Sequence, residues 1–333
     1  MSTTDAAPPL STPLVVGVDL GGTKMAAALV TADGALAGPL ASVPTPARSG
    51  PEAVLDAIAS VVDTVVSVGT HQAPGAPVAV SAVGVGSAGV VNVSTGTIVS
   101  ATDAITGWTG TSVATGVRSR LVAQGYGDMP VHVENDVDAY AGGEAWLGAG
   151  RDAGSVLVVA VGTGVGGSVV INGTTVRGAH YVAGEIGHVP APGAENEMCT
   201  CGRRGHLEAI AAGPQIHRRY LAAGGDPEVA NAFEVEQRAD AGDPIASLVY
   251  RDSAIALGKV LAGVVAVLDP ERVVLSGGLA RAGELWWAPL RETFRAELID
   301  PLADVPLVRA ELGTNAPIIG AARGALRLLG ATA

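Results

Sequence analysis

Residues 156–171, VLVVAVGTGVGGSVVI, hold two apolar runs joined by a glycine-rich turn. Gly162, Gly164 and Gly167 satisfy G-x-G-x-x-G, the fingerprint of dinucleotide-binding folds. That fingerprint requires a helix directly after the turn, so that the pyrophosphate rests on the helix N-terminus. Here a strand-like run follows and ends in its own Asn-Gly turn. The stretch therefore predicts a β-hairpin and argues against a dinucleotide site.

The same pattern occurs earlier in the chain, at residues 15–30, VVGVDLGGTKMAAALV. Two copies, each followed by further strands and helices, favour two similar α/β lobes that face each other across a cleft. The alternative is chance, because any α/β protein contains several strand–glycine–strand hairpins. We predict a small lobe over residues 14–133, joined by a C-terminal helix at 316–330, and a large lobe over residues 134–315.

Composition limits the class of protein. The chain has 333 residues, is 48% hydrophobic and contains 46 glycines, which is typical of a well-packed α/β protein. A net charge of −12 argues against nonspecific nucleic-acid binding. No apolar run is long enough to span a membrane, and residues 1–13 look like a disordered tail without the features of a signal peptide. Two cysteines one residue apart would form a strained disulfide, so we expect reduced thiols in the cytoplasm.

Periodicity and end signals predict the remaining elements. Asp243 and Pro244 are a start signal for a long apolar helix. We expect helices at about 51–68, 112–124, 137–149, 207–221, 228–240, 244–268, 284–298 and 316–330.

Glycine turns can bind phosphate, because their backbone N–H groups are unobstructed. Asp19, beside the first turn, could hold Mg²⁺ through water, with Thr23 and Lys24 adding donors. The alternative is an ordinary hairpin turn in which glycine supplies a positive φ. A third glycine turn, Ser276-Gly277-Gly278, also follows an apolar run, and it favours the phosphate interpretation.

Asn135 and Asp136 follow a strand and provide the best candidate for a general base. The Asp136 carboxylate could accept the proton of a substrate hydroxyl that attacks phosphorus, while Asn135 orients a sugar. The alternative is that Asp136 only caps the helix that follows. Residue patterns alone leave both open.

Both cysteines of the chain lie in one short stretch with two histidines and two glutamates. His188, Cys199, Cys201 and His206 would form an S₂N₂ set, which suits a structural Zn²⁺ with no coordination position left for water. The alternative is a buried thiol pair with unrelated histidines. Glu185 and Glu208 would be held beside the metal, suited to binding vicinal hydroxyls, and His188 could serve metal and substrate with different ring nitrogens.

Taken together, these motifs resemble the ROK family, named for repressors, ORFs and sugar kinases, within the actin/hexokinase-like phosphotransferases. The resemblance extends from about residue 14 to the end. The motifs that carry it, in family order, are Asp19-Leu-Gly-Gly-Thr-Lys24, Glu134-Asn-Asp136, Gly162-Thr-Gly-Val-Gly-Gly167, Glu185-Ile-Gly-His188, Cys199-Thr-Cys201-Gly-Arg-Arg-Gly205 and Ser276-Gly-Gly278.

The resemblance implies two actin/hexokinase-like (ribonuclease H-like) α/β lobes, with ATP and a sugar bound in the cleft between them and Asp136 as catalytic base. It places the ATP phosphates and Mg²⁺ at Asp19, Gly21, Gly22, Thr23, Lys24, Gly162, Thr163, Gly164, Gly166 and Gly167, and the adenosine near Gly277 and Gly278. It places the sugar at Asn135, Asp136, Glu185, His188 and Glu208, with Gly89 and Asp103 nearby. It implies that His188, Cys199 and Cys201 bind zinc. It also implies a homodimer or homotetramer.

Two positions depart from the family pattern. The family usually has a third cysteine where this chain has His206, and imidazole also binds zinc well. Many family kinases carry an asparagine before the tryptophan of a loop that meets the sugar. Here residues 102–108 contain an extra residue and no asparagine, and Asp103 is the candidate for its role.

Three classes of function follow from the resemblance. The first is an ATP-dependent kinase for the 6-hydroxyl of a hexose, with glucose favoured over N-acetylmannosamine or N-acetylglucosamine, and fructose less favoured. The second is a repressor of the family. Those repressors carry a winged helix before the motif that begins at Asp19, and we do not expect one here because the segment before the first strand is short and mostly polar. The third is a sugar-binding protein without catalysis, which the intact Asp136 and phosphate turns argue against.

Overall fold

The computed structural model describes residues 13–72 and 79–330. Almost all of the predicted N-terminal tail lies outside the described residues. The chain divides into two compact units, each described here by itself. Unit 1 contains the residues up to Gly143 and those from Pro317 onward, and unit 2 contains Glu144–Ala316. The division falls inside a helix, whereas the predicted lobe boundary at residue 133 precedes that helix.

The helices and strands alternate along much of the chain. The strands are β1 (Leu14–Leu20), β2 (Lys24–Val30), β3 (Ala41–Pro44), β4 (Val80–Ser87), β5 (Val90–Asn92), β6 (Thr97–Ser100), β7 (Val131–Asn135), β8 (Ser155–Val161), β9 (Val165–Ile171), β10 (Thr174–Thr175), β11 (Arg272–Ser276) and β12 (Leu307–Arg309). The helices are α1 (Pro51–Gln72), α2 (Val113–Ala123), α3 (Asp136–Leu147), α4 (Glu208–Ala211), α5 (Gly213–Ala222), α6 (Ala232–Asp240), α7 (Pro244–Leu268), α8 (Glu284–Glu297) and α9 (Ala316–Leu328).

Unit 1 is built on a five-stranded sheet in the order β3-β2-β1-β4-β7. β1 and β2 form an antiparallel hairpin, whereas β4 and β7 run parallel to β1. The register pairs Asp19 with Gly86, and Gly86 with Glu134. Parallel strands end at the same edge of a sheet, so the polar residues that follow β1, β4 and β7 collect there.

Apolar side chains of α1 and α2 cover this sheet. α1 buries Val54, Ile58 and Val61 on one face. α2 buries Val113, Val117 and Leu121, which are spaced four residues apart. That spacing places the three side chains on one face of the helix. Trp108, which follows β6, is buried in the same core.

Unit 2 repeats the design with the order β10-β9-β8-β11-β12. β8 and β9 are antiparallel, and β11 and β12 run parallel to β8. The predicted hairpin over residues 156–171 is confirmed, and its Asn172-Gly173 turn has positive φ at both residues and leads into β10. The mixed α/β class and the internal repeat predicted from the sequence are therefore present.

Helix ends explain two differences from the prediction. The single helix expected at 207–221 is two helices, because the chain is extended at Ala212 and a new helix, α5, begins at Gly213 with Pro214 in its first turn. The helix expected from residue 228 begins at Ala232, where the Asn231 side chain accepts a hydrogen bond from the Glu234 N–H. By contrast, α7 starts as predicted, with the Asp243 carboxylate capping the N–H groups of Ile245 and Ala246.

Across residues 13–72 and 79–330, every helix is too short or too polar to cross a bilayer.

Candidate functional site

The turn between β1 and β2 is closed by a hydrogen bond from the Gly21 N–H to the Lys24 carbonyl, at 3.1 Å. Thr45, which directly follows β3, stabilises this turn with two hydrogen bonds. The Thr45 hydroxyl donates to the Gly21 carbonyl at 2.7 Å, and the Thr45 N–H donates to the Thr23 carbonyl at 3.0 Å. Lys24 is exposed at the start of β2. The turn thus presents a cation and backbone donors next to Asp19.

Asp19 lies at the carboxyl end of β1 and is partly buried. Burial, and to a lesser extent the charge of Asp136, raise its pKa from 3.8 to about 6, while the charge of Lys24 acts in the opposite direction. A carboxylate whose charge is poorly solvated gains from a cation beside it. Asp19 is therefore suited to hold Mg²⁺, directly or through water.

Asn135 and Asp136 lie where β7 passes into α3. The Asn135 side-chain oxygen accepts from the N–H groups of Val137 at 2.9 Å and Asp138 at 3.2 Å, so Asn135 caps the helix. Its amide nitrogen donates to the Gly89 carbonyl and to Asp136 Oδ1, both at 3.0 Å. The capping role considered for Asp136 thus belongs largely to Asn135.

Asp136 uses one oxygen in these contacts. Its Oδ1 also accepts from the Val137 N–H at 2.9 Å, while Oδ2 has no hydrogen-bond partner among the described residues. Burial raises the pKa of Asp136, and the hydrogen bonds from Val137 and Asn135 lower it. A carboxylate with a raised pKa and one uncommitted oxygen can accept a proton from a hydroxyl.

The loop after β6 lies over the first glycine turn. A Cβ at Gly22 would be 3.5 Å from the Ala104 side chain, next to Asp103, which is exposed. The loop is anchored by Trp108, whose indole N–H donates to the Ser87 hydroxyl at 3.1 Å. Asp103 therefore lies close to the turn at Gly22.

In unit 2, the β8–β9 turn is closed by the Gly162 N–H donating to the Gly164 carbonyl at 2.9 Å. The N-terminus of α5 meets it, with the Gly213 N–H donating to the Gly162 carbonyl at 2.8 Å. The third glycine turn is adjacent, because a Cβ at Gly162 would be 3.8 Å from the Gly278 nitrogen. Gly277 has a φ of +87° and packs on the Val161 backbone, so only glycine fits there.

A cavity of about 750 Å³ opens beside these turns and lies entirely within unit 2. Its size and mixed lining suit a nucleoside. The residues that line it include Gly162, Thr163, Gly213, Pro214, His217, Asn231, Phe233, Glu236, Tyr250, Gly278 and Arg281.

His188, Cys199, Cys201 and His206 converge, with one ligand atom of each residue lying within 4.8 Å of the others. His188 Nδ1 is 3.6 Å from Cys199 Sγ, and His206 Nδ1 is 3.2 Å from Cys201 Sγ. Gly202 and Gly205 have φ values of +81° and +87°, which let the loop curl back on itself. The donor set fits a tetrahedral metal ion, whose sulfur and nitrogen ligands lie roughly 3.3–3.8 Å apart.

Both cysteines are free, and burial raises the pKa of the Cys199 thiol. A bound cation would have to displace that proton. The four side chains would fill all four coordination positions of such an ion and leave none for water, which is typical of a structural site.

The two glutamates beside the cluster differ. Glu185 is exposed and lies 3.8 Å from His188 Nε2, the ring nitrogen that points away from the cysteines. Glu208 is only 9% exposed; its Oε1 accepts from the Thr200 hydroxyl, and its Oε2 accepts from the Val165 N–H at 3.1 Å. Glu185 is thus exposed to solvent beside His188, whereas both oxygens of the buried Glu208 contact the protein.

Sequence reasoning missed three residues that support the site. Thr45 and Ser87 act through long-range hydrogen bonds, and their sequence neighbourhoods carry no distinguishing pattern. Thr200 lies between two candidate metal ligands, Cys199 and Cys201, and this position is the one signal in the sequence that its hydroxyl is held in place.

Comparison with known proteins places these features in context. The ROK family profile matches residues 15–327. A glucokinase from Streptomyces coelicolor is 34% identical over 328 residues, covering 93% of this chain and 96% of that protein. An N-acetylmannosamine kinase from Escherichia fergusonii is 32% identical over 308 residues, covering 92% of this chain and 96% of that protein.

Two solved structures extend the likeness to the fold. The ROK hexokinase from Thermus thermophilus superposes with a TM-score of 0.82 at 34% identity, covering 95% of this chain and 99% of that one. A ROK family glucokinase from Streptomyces griseus, in complex with glucose and AMPPNP, gives a TM-score of 0.73 at 31% identity, covering 93% and 98%. The predicted actin/hexokinase-like fold class is confirmed.

Proposed function

Because this chain belongs to the ROK family, we propose that it transfers the γ-phosphoryl group of ATP to the 6-hydroxyl of glucose. The relatives include glucokinases at 32–34% identity over most of the chain, in agreement with the predicted hexose kinase. The observation that carries the proposal is Asp136, the first residue of α3 directly after β7. Its Oδ1 accepts the hydrogen bonds from Asn135 and Val137, and burial raises its pKa. A binding protein without catalysis would not need such a group.

In the proposed reaction, Asp136 accepts the proton of the 6-hydroxyl as that oxygen attacks the γ-phosphorus. Asn135 holds Asp136 through its amide and keeps Oδ1 occupied, so Oδ2 faces the substrate. Phosphoryl transfer depends mainly on positioning and charge neutralisation. Lys24 and the backbone N–H groups of the glycine turns would bind the phosphates. Asp19 would hold Mg²⁺, which when bound would neutralise charge on the donor.

On the sugar, Glu185 and His188 would bind hydroxyl groups. His188 has Nδ1 toward the cysteines and Nε2 toward Glu185, so one ring can serve metal and sugar. We assign a structural Zn²⁺ to His188, Cys199, Cys201 and His206. A reduced thiol pair of this kind agrees with a cytoplasmic location.

A sugar panel tests the function. ADP release is measured with ATP and glucose, N-acetylmannosamine, N-acetylglucosamine or fructose. We expect the highest kcat/KM with glucose. A preference for N-acetylmannosamine would favour the alternative suggested by the second group of relatives, and no turnover with any of the sugars would exclude the kinase.

We further propose that the chain self-associates through an apolar groove of about 870 Å³ on unit 2. The groove is lined by the last turns of α7, the β9–β10 hairpin and residues 182–192, and Val267 there is 83% exposed. Its charged residues are few, and Lys259 pairs with Glu297 at 3.8 Å. Two copies that each carry −12 repel least where charges are few, so a second copy is the occupant that fits.

Light scattering after gel filtration tests the association. We expect a dimer or tetramer for the wild type and a monomer for Val267→Asp. Val122→Asp, at an exposed valine of α2 outside the groove, is the matched control and should not change the mass. A monomeric wild type, or an unchanged Val267→Asp, would contradict this interface.

A further inference from the structure

Thr200 occupies an unusual position, because it lies between the two cysteines of the metal cluster and its hydroxyl donates to Glu208 Oε1. Cys199 Sγ is 3.7 Å from the same oxygen. The loop that would bind the metal therefore holds one half of the Glu208 carboxylate.

The other half of that carboxylate holds the phosphate turn. Glu208 Oε2 accepts from the Val165 N–H at 3.1 Å, and Val165 is the first residue of β9 after the turn. A hydrogen bond to a buried carboxylate is stronger than one between neutral groups. Glu208 thus connects two segments that are far apart in sequence.

Two glycines show how closely these segments pack. A Cβ at Gly164 would lie 2.9 Å from Glu208 Oε2, so the carboxylate fills the space a side chain would need. A Cβ at Gly187, beside His188, would lie 2.1 Å from the Val165 carbonyl oxygen. Val165 is therefore contacted on its N–H by Glu208 and on its carbonyl by the segment that carries His188.

We propose that Thr200 is a positioning residue for the phosphate donor. By holding Glu208, it fixes Val165 and with it the turn at residues 162–164, so the order of the metal loop sets the affinity for ATP. Glu208 in this role serves the phosphate turn of unit 2, in addition to the sugar contact that the family resemblance implies.

Kinetics of Thr200→Val and Thr200→Ser test this role, which rests on the proposed kinase function. We expect Thr200→Val to raise KM for ATP by about tenfold, the effect of losing one hydrogen bond to a charged group, and to change KM for glucose less than about twofold. Thr200→Ser keeps the hydroxyl and should restore the wild-type value. Thr174→Val, at an exposed threonine of β10, is the matched control and should change neither constant.

A change in KM for glucose without a change in KM for ATP would overturn the proposal. If KM for glucose rises in Thr200→Val while KM for ATP does not, Glu208 acts on the sugar alone. Zinc content is measured in every variant. A Thr200→Val protein that loses metal while its KM for ATP stays at the wild-type value would also overturn the proposal, because the hydroxyl would then serve only the metal loop.

Amide hydrogen exchange provides a readout that needs no catalysis. In the full-length protein, the peptide containing residues 162–167 should exchange several-fold faster in Thr200→Val and at the wild-type rate in Thr200→Ser. Unchanged exchange in Thr200→Val would refute the positioning role, even if the protein proves not to be a glucose kinase. Failure of the kinase assay together with faster exchange would refute only the proposed function.

Discussion

The two glycine hairpins share a design but differ in their chemistry. β1–β2 and β8–β9 occupy the same place in two sheets of equivalent order, each beside a parallel strand. Aligned end to end, Asp19 of the first hairpin corresponds to Ala160 of the second, and Lys24 corresponds to Val165. The first hairpin thus carries its own charges, whereas the second takes its carboxylate from Glu208, more than forty residues away along the chain.

This difference indicates that the two units share the backbone of the hairpin but not the charged residues that would contact ligands. In unit 1 the acidic groups come from strand ends and respond to burial. In unit 2 the turn is uncharged, and its conformation depends on a neighbouring loop. We therefore expect substitutions in unit 1 to affect the chemical step and those in unit 2 to affect ligand binding or metal content.

The largest effect is expected for Asp136→Asn. The amide cannot accept the proton of the attacking hydroxyl, so kcat should fall by at least about a thousandfold while KM for ATP changes little. Steady-state kinetics and the melting temperature are measured together. Asp304→Asn, at an exposed carboxylate of unit 2, serves as the control. Near-normal turnover in Asp136→Asn would show that the base lies elsewhere.

A smaller effect, with a defined pH dependence, is expected for Asp19→Asn. We predict a fall of about a hundredfold in kcat/KM at neutral pH, because the group that holds Mg²⁺ is lost. In the wild type, activity should decline as the pH falls through about 6, where Asp19 takes up a proton. A pH profile without an acid limb near that value would contradict the assignment.

Asp19→Asn should lower activity but raise the free energy of unfolding. The folded state raises the pKa of Asp19 from 3.8 to about 6, so ionising the group costs stability as the pH rises between those values. Asp19→Asn removes this cost, which amounts to at most about 3 kcal/mol above pH 6. The gain in melting temperature should therefore shrink toward pH 4. Asp33→Asn, at an exposed carboxyl whose pKa is lowered, should show no gain.

The smallest effect on turnover is expected at His206. His206→Ala should weaken zinc binding by well over tenfold, because one of four ligands is lost, and should reduce activity only about tenfold, through loss of order in unit 2. His206→Cys should retain about one zinc per chain. Metal analysis and competition with a chelator distinguish the two variants. Full retention of zinc by His206→Ala would remove His206 from the ligand set.

Local patterns account for what could be predicted. The hairpins follow from apolar runs interrupted by glycine, and α7 follows from the Asp243-Pro244 start signal, since both depend on residues adjacent in sequence. The convergence of His188, Cys199, Cys201 and His206 was predictable for a related reason. Their residue types are rare in this chain and occur within one short stretch.

Long-range contacts account for what could not be predicted. Next to the break at Ala212, the Gly213 N–H donates to the distant Gly162 carbonyl, and the hydrogen bonds of Thr45 and Glu208 likewise join segments far apart in the chain. Periodicity carries no information about which distant backbone group a carboxylate will meet. Glu208 was therefore assigned to the sugar from a motif, while its protein contacts became visible only in three dimensions.

Because lysine is so rare in this chain, an amine-reactive reagent has two lysine side chains to modify. Lys24 and Lys259 are the only lysines of the sequence. Lys24 is exposed on the first glycine turn, and Lys259 lines the apolar groove. An amine-reactive reagent read out by peptide mass spectrometry would therefore report on each surface separately. Protection of Lys24 would follow nucleotide occupancy, and protection of Lys259 would follow contact between copies of the chain, without any engineered probe.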